Sequence, residues 1–272
     1  MNAIYEYILA GLMMFIMLAL MHTYMQNLIY DATASITQGD YNLAESLIDL
    51  ILLSPGDPPN WGIIDPEIFG LATQETTEAY ALDPLKVIRL DENCTEYQYI
   101  TPGELRSLLG LTGDVNLVIR ITPMFIVDAQ PLGGAKYRVT ITNHRGRPVP
   151  NVNITGFYVP ESLGSSDEER FQAENITGFD GSCILDFSVD SWPLSNYVLV
   201  IQADLLGVKT MWTDPPYLRV RVEGGEVVQS EVPLINTINY TSGSFYGLNT
   251  DYASRYVKID GFTYYFELEI WR

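Results

Sequence analysis

From Tyr7 to Tyr30 the chain carries no Asp, Glu, Lys or Arg, and the centre of that run, Ile8 to Met21, reads ILAGLMMFIMLALM. A helix that is apolar on every side must be covered by lipid or by other apolar surface. About 20 such residues span the hydrocarbon of a bilayer. The run therefore commits the chain to a membrane or to a polymer with an apolar centre. The first Lys or Arg is Lys86, and no small-residue cleavage site follows the run. The segment reads as a retained element and not as an ordinary signal peptide.

The helical pattern continues beyond the run. In Ala32 to Leu53, Leu43, Leu47, Leu50 and Ile51 recur at helical spacing, with Glu45 and Asp49 between them. Ser54-Pro55-Gly56 ends it, because proline lacks the donor and restricts the residue before it. The expectation is one nearly continuous helix over residues 3–53, apolar first and amphipathic after, with its apolar half not packed on its own β body.

The connector Ser54 to Gly62, SPGDPPNWG, is a stiff elbow. Asp83 to Leu90, DPLKVIRL, has the alternation of a strand. Thr101-Pro102-Gly103-Glu104 opens a short helix, with Thr101 as N-cap and Pro102 first, closing at Gly110. Asn116 to Ile121 reads as a strand, and from Lys136 onward short alternating runs separated by Gly, Pro and Asn indicate a sandwich. Asp260-Gly261 centres a terminal hairpin expected to close that sandwich. The fold class expected is α+β: a long N-terminal hydrophobic helix, then a mostly antiparallel, immunoglobulin-like β-sandwich head. The divisions are 1–53 (helix, as membrane anchor or filament core), 54–125 (elbow and mixed segment) and 126–272 (sandwich with its C-terminal hairpin).

Lys and Arg total 15 against 34 Asp and Glu, a formal net charge of -19. That balance repels nucleic acid, which is excluded as a partner. Four Asn-x-Ser/Thr acceptors, Asn93, Asn153, Asn175 and Asn239, all follow the helix and point to glycosylation outside the cell. The two cysteines, Cys94 and Cys183, read either as a disulfide of an extracellular chain or as two separate buried thiols. The two histidines, His22 and His144, are isolated, and no metal-ligand spacing, phosphate loop or nucleophile elbow occurs. No enzyme, no cofactor and no metal site is expected.

Two stretches carry family resemblances. TITNHRGRPVPNVNIT, TGFDGSCILDF and NYVLVIQA, between Thr140 and Ala203, resemble the immunoglobulin-like and carboxypeptidase-regulatory-like modules of surface proteins. That likeness implies a scaffold and no chemistry. The apolar helix, the elbow LILLSPGDPPNWG, and FGLA, YALDPLKVIRL and PGELRSLLGL, over about residues 2–120, resemble archaeal type IV pilin-like surface proteins, and the terminal LEIW fits them. In type IV pilins a glutamate lies five residues into the mature helix, and Glu6 falls there if Met1 is removed. The resemblance implies a structural subunit of an extracellular filament or surface assembly. It implies self-association through the N-terminal helix, Glu6 as assembly residue, and contact with the membrane and other surface proteins or cells. Two other classes stay open: a membrane-anchored surface glycoprotein or adhesin acting alone, and an anchored carboxylate-dependent hydrolase.

Overall fold

The computed structural model describes residues 43–74, 78–111, 115–161, 169–189, 196–243 and 250–271. The expected helix as far as residue 42, with Glu6, His22 and the apolar run, lies outside the described residues.

In chain order the elements are α1 (Leu43–Leu53), β1 (Ala81–Leu82), α2 (Pro84–Ile88), α3 (Pro102–Leu108), β2 (Asn116–Pro123), β3 (Ile126–Pro131), β4 (Lys136–Thr142), β5 (Asn153–Pro160), β6 (Phe171–Ile176), β7 (Ser182–Asp186), β8 (Tyr197–Leu205), β9 (Val208–Asp214), β10 (Val220–Glu223), β11 (Glu226–Gln229), β12 (Ile238–Thr241), β13 (Thr250–Ile259) and β14 (Phe262–Trp271). This corrects the α+β expectation built on a long hydrophobic helix. The described chain is mostly β, and its helices run 11, 5 and 7 residues. Among the described residues no helix is long and apolar enough to cross a membrane.

The first layer pair is a sheet in the order β1-β13-β14-β2-β12 with α1 against one face. Helical spacing places Ala44, Leu47, Ile48, Ile51 and Leu52 on one side of α1, and all five are buried. Strand alternation supplies the opposing side: Leu117, Ile119 and Ile121 from β2, and Tyr264, Phe266, Leu268 and Ile270 from β14. Beyond α1, Ser54 N–H still bonds to Leu50 O, and Gly56 at φ +74° turns the chain away.

The terminal hairpin forms where Asp-Gly predicts it, with Asp260 and Gly261 both at positive φ and Ile259 opposite Phe262. It does not close the sandwich. β14 pairs with β2, and the hairpin belongs to the α1 layer. The segment Asp83 to Leu90 is also corrected from strand to helix. Asp83 caps α2 by accepting from Leu85 N–H at 2.9 Å, and Pro84 takes the first position, where no donor is needed. Helix α3 has the expected cap, completed by Glu104 reaching back to Thr101 N–H, and it ends at Gly110, φ +64°.

Between β2 and β12 the chain leaves this sheet and builds a sandwich of β3-β4-β7 against β6-β5-β8-β9. Its core takes Val139, Ile141, Cys183 and Leu185 from one sheet and Ile154, Tyr158, Leu199 and Ile201 from the other. At Gly156 the sheets approach so closely that a Cβ would stand 2.5 Å from Leu185 Cδ1. The β10-β11 ribbon then covers part of the outer face of the four-stranded sheet, where Val220 and Val227 pack with Phe157, Val159, Val198 and Val200.

Candidate functional site

The joint between α1 and the sheet is the first feature with functional content. Arg255 on β13 donates to Glu45 Oε2 at 2.6 Å and lies 3.3 Å from Asp49 Oδ1. The Glu45 hydrogen bond is the largest cause holding its guanidinium above the ordinary arginine range. Leu43 N–H, at the start of the helix, donates to Asp251 Oδ2 at 3.2 Å. Tyr80 OH donates to Asp49 Oδ1 at 3.3 Å.

The elbow that follows is held by two buried cations. Lys86, the first cation of the chain, is fully buried and donates from Nζ to Pro55 O at 2.8 Å and Ala72 O at 2.9 Å. Desolvation pushes its pKa below the usual lysine range, against the pull of Asp83. Arg89 donates to the carbonyls of Trp61, Ile64 and Gln98. Both cations lie over the Trp61 ring, at 5.9 and 5.5 Å from its centroid. Sequence reading found the elbow in its prolines but missed its cationic supports, because the carbonyls they satisfy lie up to 31 residues away.

The glycosylation candidates separate by environment. Asn153 on β5 and Asn239 on β12 are exposed. Asn93 is exposed and donates from Nδ2 to Asp91 Oδ1 at 3.1 Å. Asn175 is exposed too, but its Nδ2 donates to Ile184 O and its Oδ1 accepts from Ile176 N–H, each at 2.8 Å. Its sequon threonine, Thr177, is buried, donating to Val149 O and accepting from Val152 N–H. That triplet is part of the sandwich framework.

Of the two readings of the cysteines, the described structure has the separate thiols. Cys94 and Cys183 are both free and buried, Cys94 in the α1-sheet core and Cys183 in the sandwich core. Spacing in sequence could not show that two separate cores divide them. Burial pushes the Cys183 thiol up to about 11 and raises that of Cys94. His144 stacks on Tyr265 with centroids 4.3 Å apart, tying the turn after β4 to β14, and neither ring nitrogen has a hydrogen-bond partner among the described residues. Among the described residues no group of three His, Cys, Asp or Glu is placed to hold a metal ion.

A cleft of about 510 Å³ lies on the outer face of the four-stranded sheet, beneath the tip of the β10-β11 ribbon. Strand alternation brings Asn153, Thr155 and Phe157 of β5, Gln172 and Glu174 of β6, and Gln202 and Asp204 of β8 onto that face. Register sets Asn153 opposite Asp204, Thr155 opposite Gln202 and Glu174, and Asp204 opposite Lys209. Gln172 donates to Glu174 at 2.8 Å, and Asp204 accepts from Gly207 N–H at 3.0 Å. Sequence reading missed the cleft. Its signal is the i, i+2 recurrence of polar residues in strands whose alternate positions are apolar, legible only once pairing is known.

No family model, curated protein or solved structure matches the chain.

Proposed function

We propose that this chain is a structural subunit of an extracellular filament or other surface assembly, its β body exposed and the apolar segment around Ile8 to Met21 serving as the element of self-association and membrane contact. The observation that carries this reading is the joint at α1. The chain arrives from the apolar segment and enters a helix with five side chains keyed into the body and both its first N–H and its acidic face held by the terminal hairpin. So keyed, α1 is a fixed part of the body and gives the preceding chain one defined attachment point at Leu43, which suits a subunit that joins an array through that segment. The elbow, gripped by Lys86 and Arg89, supports the same reading. The exposed acceptors Asn93, Asn153 and Asn239 and the net charge of -19 suit a hydrated outer surface.

Shearing native cells tests it. Sedimentable filaments or arrays that label with antibody to the β body are expected, and Glu6→Gln should reduce assembly while leaving the body folded. Recovery of all the protein as detergent-solubilised monomers, with no array on native cells, would favour the lone surface glycoprotein instead.

A further inference from the structure

We propose that the cleft beneath the β10-β11 ribbon binds a neutral oligosaccharide, a ligand function beyond assembly. Four side chains facing it, Asn153, Thr155, Gln202 and Lys209, have no hydrogen-bond partner among the described residues. They stand on three adjacent strands in register, so neighbours lie about 5 Å apart across the sheet. An amide presents both donors and an acceptor, and a threonine hydroxyl does the same from one atom. A sugar ring needs this kind of wall, because each of its hydroxyls both donates and accepts and neighbouring hydroxyls can share one amide. Glu174 and Asp204 add acceptors already oriented by Gln172 and Gly207.

The other ligand classes fit less well. A peptide added to a sheet uses an open strand edge, whereas these groups stand on the face. Nucleic acid is repelled by the net charge of -19. An apolar ligand would want an apolar lining, and here Phe157 is nearly buried and the rest of the β5 and β6 wall is polar. A small anion would meet two carboxylates for one lysine. The ribbon tip over the cleft is Gly224-Gly225, where the absence of side chains leaves room for a ring to approach backbone. The volume falls within the usual range of ligand clefts, roughly 300–1,000 Å³.

The oligosaccharide has two sources, since Asn153 is itself a glycan acceptor in the cleft. The chain could take a sugar from another molecule or fold its own glycan across the sheet. Unglycosylated full-length protein is to be tested on an array of neutral hexose and N-acetylhexosamine oligosaccharides, and native protein by glycopeptide mass analysis with endoglycosidase digestion. Binding by the bare protein that falls at least tenfold in both Gln202→Ala and Lys209→Ala, with unchanged melting temperature, assigns the cleft to an outside ligand. No binding by the bare protein, with a native Asn153 glycan that resists endoglycosidase until Gln202→Ala is introduced, assigns it to the chain's own sugar. No array binding together with a bare or freely digested Asn153 overturns the proposal, as does array binding that neither substitution weakens.

Discussion

Truncating Ile51 to alanine should be far more damaging than truncating its neighbour Leu50. Ile51 is wholly buried in the core between α1 and the five-stranded sheet, while Leu50 is 51% exposed on the other side of the same turn. Removing a buried isoleucine forfeits its transfer free energy and leaves a cavity that the surrounding side chains fill only in part. The cost is about 2–5 kcal/mol. A side chain already half in water has at most about 1 kcal/mol to lose, and alanine's better helix propensity returns some of it. For a body of this size each kcal/mol moves the melting temperature by about 2–4 °C. At a cost of about 3 kcal/mol, Ile51→Ala melts roughly 6–12 °C lower than the parent. Leu50→Ala stays within roughly 4 °C. Thermal melts followed by circular dichroism make the comparison. A shift for Ile51→Ala no larger than that for Leu50→Ala would show that α1 is not keyed to the sheet, and the joint argument would fall with it.

Three further outcomes follow from other parts of the molecule. Arg255→Gln removes two partly exposed ion pairs and should cost only about 1 kcal/mol. The gap from the parent should shrink in 1 M salt, and a gap that persists there would point to packing instead of charge. Alkylation with iodoacetamide should modify no cysteine in the native protein and two after denaturation without reductant; none in denaturant would reveal a disulfide between them. Burial raises Tyr240 and Tyr264 above the ordinary tyrosine value and pushes Tyr137 up to about 12. A folded-state pKa above the unfolded one gives stability that is complete below the unfolded value, about 10, and is lost as pH rises through the folded value. Alkaline unfolding should therefore begin above about pH 10 and release tyrosinate absorbance together with the loss of circular dichroism. Full tyrosine ionisation near pH 10 with the fold intact would refute that burial.

Local signals in the sequence translated well into local structure. The capping residues of α3, the Asp-Gly turn of the last hairpin and the amphipathic spacing of α1 each act over a few residues, and each is where its pattern puts it. The misread elements are those in which a local pattern has two solutions. DPLKVIRL alternates like a strand, yet Asp-Pro is also a helix start, and α2 uses it so. The hairpin carries apolar residues on alternate positions that suit either sheet, and only the long-range pairing of Tyr265 with Thr122 decides. Cys94 and Cys183 look like a pair until two cores are found to separate them. The cleft was illegible for the same reason, since Thr155 and Gln202 meet through register alone.

The sandwich enters from β2 and returns to β12, two strands that are themselves hydrogen-bonded neighbours. The mechanical circuit of the molecule is thereby simple. Tension applied between residue 43 and residue 271 runs through α1, the terminal hairpin and β2, and the sandwich hangs from that path as a closed side loop. While the five-stranded sheet holds, it is loaded only sideways, through contacts with β14 such as His144 on Tyr265. In a pulling experiment the first rupture should free only the length stored in the helix and hairpin, leaving the cleft-bearing sheet folded after the main body has begun to yield.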